Sequence, residues 1–310
     1  MSSSPLTAFV FPGMGPLDKQ AVAHYMTTGP EAAEITAVAD QVLGYPLLER
    51  FQETEGDYSE AGQLTFMAAC LALAAWAGKK HGRQPDFCVG PSFGGRVAAV
   101  HSGALPLDDG LWLAAELARL TAEYFGEEHT DIVTHSFVRV PEPALAEVLA
   151  GLADAGEWYD LACVIDHDFY MLTLHEAAVE PLQARLRALG GLPLYTMRPP
   201  MHSPAFAALR DRVEKAVSGL FFADPHTPVV SDHDGKVLTT GAEVKDLVLD
   251  GFVRSVNWPD AVSTLVRSGV RDAIVCGPDA LFGRVGVTRK NLTVTPATPQ
   301  VAAQAAARGG

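Results

Sequence analysis

Cysteine is scarce. The 310 residues contain four, Cys70, Cys88, Cys163 and Cys276, isolated from one another and set among apolar neighbours. Such spacing supplies no disulfide framework and no metal-binding pair, so they read as reduced core thiols in a cytosolic compartment. Positive charge is short as well: 23 Lys and Arg stand against 37 Asp and Glu, a net charge of −14. A basic surface for phosphate backbones is missing, which argues against nucleic acid as a partner. No apolar run reaches the roughly 18–20 residues of a membrane span. The longest, around Phe66 to Ala77, reads as a buried helix, and no membrane partner is expected. The opening Met-Ser-Ser-Ser-Pro lacks the basic and then apolar stretches of a secretory signal, so a cytoplasmic location is expected. Internal repeats and Gly-x-x-x-x-Gly-Lys phosphate loops are also absent. What remains, 48% hydrophobic and 19% charged, suffices for one large core with a smaller unit inserted.

The most informative stretch is Gly90-Pro91-Ser92-Phe93-Gly94. Phe87-Cys88-Val89 before it reads as a short buried strand, and Arg96-Val97-Ala98-Ala99-Val100 after it begins a helix. A Gly-x-Ser-x-Gly between strand and helix makes a tight, strained turn that lifts the hydroxyl into the open and aims the first N–H groups of the helix at its target. An incidental serine in a glycine-rich loop has the same pentapeptide. A second segment, Pro200-Met201-His202-Ser203-Pro204, offers an imidazole in a turn between a strand and a helix, and a serine needs such a base near neutral pH. A third, Phe11-Pro12-Gly13-Met14-Gly15-Pro16, follows the first apolar strand, and its glycines let a backbone N–H approach a ligand.

Helical periodicity is clear in 63–80, 107–125, 143–154, 176–189, 205–219 and 259–268, and short apolar strands fall at 8–11, 87–90, 132–140, 161–165, 170–174, 192–197, 228–231 and 273–276. The alternation predicts an α/β fold, a parallel sheet covered on both sides. Between 131 and 197 the order becomes strand, helix, strand, strand, helix, strand, the ferredoxin-like unit. The expected division is a large subdomain of 1–130 and 198–295, a small one of 131–197, and a flexible tail of 296–310 rich in Ala and Gln.

Together the three segments resemble the malonyl-CoA:acyl-carrier-protein transacylases and the acyltransferase domains of polyketide synthases. Members carry Phe-Pro-Gly-Gln-Gly, Gly-His-Ser-x-Gly, a His-Ser turn after a small insertion, Pro-Val-x-Trp, and a late strand ending in Gly-Pro. Here the last two stand as Ser255-Val256-Asn257-Trp258 and Ala273 to Pro278. The resemblance runs over nearly the whole chain. It implies an α/β-hydrolase-like domain with an inserted ferredoxin-like subdomain, and a nucleophile Ser92 with His202 as base. The backbone N–H groups of Met14 and Phe93 would form the oxyanion hole. The main-chain carbonyl orienting the histidine would belong to Gly251, seven residues before Trp258. No tightly bound cofactor is implied; the substrate is a phosphopantetheine thioester on an acyl carrier protein or CoA, and the protein is expected to be a monomer.

Departures from the family bear on specificity. Malonyl enzymes hold the free carboxylate with an arginine 25 residues after the serine; counting from Ser92 gives Leu117, while Arg119 faces roughly 200° away on a helix. A buried, unpaired carboxylate costs several kcal/mol, so an acyl group without one is expected. Leu117, Met14 and Pro91 are the expected pocket residues. Asp166 and Asp168, on a loop close to the acyl group in the family, would favour an amine or hydroxyl if they face it; an aliphatic chain is the alternative. Asp166-His167-Asp168 and Asp232-His233-Asp234 read as turns rather than metal sites, and His101 as a packed residue. Carrier docking falls to Arg185, Arg187, Arg210, Arg212 and Lys215, or to Arg284, Arg289 and Lys290. The expected activity is non-malonyl acyl transfer in trans in a polyketide-like pathway. Thioester hydrolysis and a catalytically silent carrier-binding scaffold are the alternatives.

Overall fold

The computed structural model describes residues 5–56, 58–278 and 281–309. Among these described residues eleven strands form two sheets: β1 (Leu6–Val10), β2 (Phe87–Val89), β3 (Ile132–Val138), β4 (Tyr159–Asp166), β5 (Phe169–His175), β6 (Leu192–Met197), β7 (Val229–Val230), β8 (Val237–Leu238), β9 (Val256–Asn257), β10 (Val270–Cys276) and β11 (Thr293–Ala297). The first sheet runs β11-β10-β1-β2-β7-β8. It is parallel except for the β7–β8 pair, with Val10 of β1 flanked by Val89 and Val275. Its central strands are short apolar runs because helices cover both faces.

The second sheet runs β6-β3-β5-β4-β9. The first four strands are antiparallel neighbours, with helices Glu142–Asp154 and Val179–Ala188 crossing between them, which is the ferredoxin-like unit. Its core is separate, built on Val133, Phe137, Leu172, Leu174, Leu182 and Leu186. The fifth strand, β9, comes from the other part of the chain and pairs in parallel with β4 at Cys163 and Val164.

Helix Glu60–His81 runs through the main core. It is capped by Ser59 at its start and by left-handed Gly82 at its end. It is long and apolar enough to cross a membrane, yet 89% of its apolar stretch is buried inside the protein. A helix apolar all round belongs in such a position. All four cysteines are buried and free.

The expected flexible tail is corrected by the structure. Pro296 and Ala297 lie in β11, which extends the main sheet beside β10, and Pro299–Gly309 is a helix. The alanines that suggested a frayed end favour helix, and Ala302 is buried in the main core.

Candidate active site

Two glycines make the turn after β2 possible. A Cβ at Gly90 would stand 2.1 Å from the backbone of Gly94, and one at Gly94 would stand 2.0 Å from the carbonyl of Phe11. Between them Ser92 takes a left-handed conformation, φ 55°, which is strained for a residue with a side chain. The strain is held by a buried carboxylate: the Ser92 N–H donates to Asp232 Oδ2 at 2.6 Å. Asp232 sits in the tight turn between β7 and β8, with Gly235 N–H closing onto Ser231. Burial raises its pKa, while His233 and the Ser92 N–H pull the other way.

His202 reaches the serine from the other sheet. Its loop is pinned to the ferredoxin-like unit by Thr134 and Thr173, whose hydroxyls lie 2.8 Å apart. Thr134 Oγ1 accepts from Met201 N–H and Thr173 Oγ1 donates to the Met201 carbonyl. His202 also has positive φ, 62°. Its Nε2 lies 2.8 Å from Ser92 Oγ, and Nδ1 lies 3.1 Å from the carbonyl of Arg254. A carbonyl only accepts, so Nδ1 carries the proton and Nε2 faces the serine as a free base. The orienting carbonyl is therefore that of Arg254, not Gly251. The helix Gly241–Asp250 ends before the crucial carbonyl, and Gly251 lines a cavity beside the serine. Burial pushes the His202 pKa down to about 3; the neighbouring His233 lowers it further, the Arg254 carbonyl opposes, and Arg96 adds a small lowering effect.

Two cavities meet at Ser92, and Met14 borders both. One lies against the main core and includes Gln63, Phe93, Arg96, Leu247 and Gly251. The other is apolar and lies against the small sheet, with Ile165, Met171, Tyr195 and Phe282 on its walls. Among the described residues no protein acceptor engages the N–H of Met14 or Phe93, and both residues line the cavity that Ser92 borders.

The other expected pocket residues fall elsewhere. Leu117 is fully buried in the main core and borders neither cavity, and Pro91 is likewise off their walls. Asp166 turns away from the substrate side: its Oδ2 accepts from Val287 N–H at 3.1 Å, at the start of helix Gly286–Asn291. Strand alternation explains this, since Ile165 next to it faces the cavity. Asp168 lies in the β4–β5 turn and borders neither cavity. The case for an amine-bearing substrate built on these two carboxylates is removed.

Arg96 was missed as a site residue. It lies in the first turn of helix Gly94–His101, and the structure places it on the wall of the cavity that Ser92 borders; four residues of spacing across a left-handed serine gave no helical face from which to find it. Leu117 itself supplies no charge, but the cavity beside Ser92 does hold a guanidinium, that of Arg96. His101 packs against Phe9 and Phe11, and burial lowers its pKa to about 4. Among the described residues no group of three His, Cys, Asp or Glu could hold a metal ion. Much of the first basic set is occupied: Arg210 pairs with Asp250 and Glu214, Arg212 with Glu127, and Arg185 with Glu147.

An α/β sheet with a strained serine turn, a histidine facing it and a ferredoxin-like insertion defines a hydrolase-like core carrying a small α+β insert. Comparisons narrow this. Residues 136–197 match the family model of the VinK acyltransferase small domain. The malonyl CoA-acyl carrier protein transacylase of Escherichia coli O157:H7 is 26% identical over 302 residues, covering 91% of this chain and 92% of that one. Polyketide synthase GfsA of Streptomyces halstedii is 30% identical over 283 residues, 89% of this chain but 3% of that much longer protein. Among solved structures, the malonyl-CoA:acyl carrier protein transacylase of Xanthomonas oryzae superposes with a TM-score of 0.83 at 25% identity, covering 98% of each chain. A malonyl-transacylase in complex with a type II polyketide synthase acyl-carrier protein gives 0.84 at 21%, covering 98% of this chain and 100% of that one. Over nearly its whole length the chain is thus similar to malonyl CoA-acyl carrier protein transacylases and to one segment of a polyketide synthase.

Proposed function

We propose that this protein moves an acyl group between phosphopantetheine thioesters through an acyl-Ser92 intermediate. The 2.8 Å contact between Ser92 Oγ and His202 Nε2, with Nδ1 held on a carbonyl, carries the reading. Ser92 Oγ attacks the thioester carbonyl and gives its proton to His202 Nε2. The N–H groups of Met14 and Phe93 stabilise the oxyanion. Collapse breaks the C–S bond, and the proton on Nε2 passes to the departing thiolate. A second pantetheine thiol then attacks the ester, its proton going to His202 and on to Ser92 as the serine leaves.

The donor and acceptor in this reading are acyl carrier proteins, with acyl-CoA as the alternative donor, and the acyl group is not malonyl. Leu117 on helix Leu107–Glu127 puts no cation where the malonyl enzymes have theirs, and the guanidinium of Arg96 comes from a different helix. Four buried free thiols fit a cytoplasmic setting. The test is intact-mass detection of acyl-Ser92 with a panel of acyl-carrier thioesters, followed by a second carrier. Transfer to that carrier, and no adduct on Ser92→Ala, is expected. An adduct that persists on Ser92→Ala overturns the mechanism, and release only to water converts the activity to thioester hydrolysis.

A further inference from the structure

The guanidinium of Arg96 is the least explained charge in the protein. It borders the cavity beside Ser92 and is itself half-buried. Among the described residues no carboxylate lies within 4.0 Å of it, although the chain has 37 acidic residues and every ion pair elsewhere draws on them. Of its five N–H donors, one reaches Gln63 Oε1 at 3.3 Å. Its flat faces are used differently: the Phe93 ring centroid lies at 5.0 Å and that of Phe252 at 5.7 Å. Two rings and one amide fix the plane of the fork while leaving most of its edge unpaired. Burial lowers its pKa to about 10, which still leaves it charged at neutral pH. A cation oriented this way and left without a counter-ion is arranged for something that arrives.

We infer that Arg96 reads an acceptor oxygen on the acyl group, beyond the thioester carbonyl, so that the substrate class is acyl chains bearing a carboxylate or an amide carbonyl rather than plain hydrocarbon. This rests on the acyl-Ser92 reading above. Position supports it: Arg96 lies in the first turn of helix Gly94–His101, just after the serine turn, and both residues border this cavity, so an acyl group on Oγ that extends into it passes the guanidinium. Met14, Leu247 and Val248 add apolar surface to the same cavity, and its other polar groups, Tyr58, Gln63 and Asp232, bring no positive charge, so among the described lining residues Arg96 is the one cation. An aliphatic chain there would leave the cation desolvated and unpaired, which opposes binding. The second cavity, almost wholly apolar, lacks any such charge.

Three thioesters on one carrier protein, with acyl chains of equal length, test this: one ending in a carboxylate, one with an internal amide, one a hydrocarbon. The readout is the kcat/KM of Ser92 acylation by intact mass, for the wild type, Arg96→Met and Arg96→Lys, with thermal melts to confirm folding. The wild type should favour at least one oxygen-bearing chain over the hydrocarbon by about 10- to 100-fold. Which chain is favoured separates carboxylate from amide. Arg96→Met should bring the three within about threefold, and Arg96→Lys should retain part of a carboxylate preference because it keeps the charge and loses the fork. A wild type that prefers the hydrocarbon or treats all three alike overturns the inference, whether or not the variants fold. Equal slowing of all three chains by Arg96→Met also overturns it, since the arginine would then read the common pantetheine arm. If no thioester labels Ser92, the acyl-enzyme reading itself fails, an outcome distinct from either.

Discussion

Lowering the pH from 7 to 5 should remove much of the stability of this protein through its buried histidines. His202 and His135 are 2% and 0% exposed, and burial lowers their pKa values to about 3 and about 4 from an ordinary 6.5. In the unfolded chain both recover the ordinary value. Between the folded and unfolded pKa the unfolded state binds more protons, so stability rises with pH in that window and is lost as pH falls below 6.5. Each pH unit below 6.5 costs about 1.4 kcal/mol per histidine, hence about 2 kcal/mol each at pH 5 and about 4 kcal/mol together. His101, partly exposed and shifted the same way, adds a smaller loss. Asp232, raised by burial, works in the opposite sense and trims the total. Asp234, held at about 2 chiefly by Arg254 and Ser231 against the cost of burial, contributes its loss only below about pH 4. A loss of about 4 kcal/mol is a large share of the 5–15 kcal/mol typical of a folded protein and lowers Tm by roughly 8 °C or more. Urea unfolding at pH 7 and pH 5, followed by tryptophan fluorescence, measures it directly. His135→Asn should remove about half of the difference between the two pH values, whatever it does at pH 7. Equal urea midpoints at pH 7 and 5 would refute the account.

His202→Ala should slow acyl-Ser92 formation by about 10²–10⁴-fold in a quenched intact-mass assay with folding intact; a loss under threefold would remove it as the base. Leu117→Arg should not create a malonyl site but lower Tm sharply, because it places a charge in the main core; a variant as stable as the wild type that loads malonyl would contradict the buried position of Leu117. Asp232→Asn should keep acylation within about threefold, since an amide oxygen still accepts from Ser92 N–H, while Asp232→Ala costs about 1–3 kcal/mol in urea melts. Asp166→Ala should reduce stability without altering the ranking of acyl substrates, as comparative acylation rates would show; a changed ranking would place that carboxylate back in the pocket.

Motifs dictated by backbone chemistry are legible in the sequence alone. The elbow is readable because a strand, two glycines and a helix permit only a narrow set of turns, and the structure shows the steric reason at Gly90 and Gly94. The order of elements from 132 to 197 was equally plain, since each strand there is a short apolar run between turn residues. Helices Lys19–Thr28, Ala32–Leu43 and Leu47–Glu53 were not anticipated, because Gly29-Pro30 and Gly44 to Pro46 chop them into short pieces with mixed faces. Strand β9, at two residues, is too short to leave a pattern. At the site, chain spacing located Ser92 and His202 but not what surrounds them. Which carbonyl holds His202 depends on where the preceding helix unwinds, and Arg254 differs from Gly251 by less than one helical turn. The direction of Asp166 depends on strand phase, which one residue reverses.

The placement of β9 has a mechanical consequence. Ser92 belongs to the parallel sheet, whereas the His202 loop is tied to the antiparallel one through Thr134 and Thr173. The carbonyl of Arg254, the Ser255 hydroxyl on Leu161 and the β9–β4 pairing follow one another within four residues, 254–257. One short splice therefore does two jobs, joining the sheets and setting the proton on His202. A displacement of either sheet by 1 Å would stretch the Ser92–His202 contact beyond hydrogen-bond range and disturb the tautomer at the same moment. The alignment of nucleophile and base thus serves as a gauge of how well the two halves are registered.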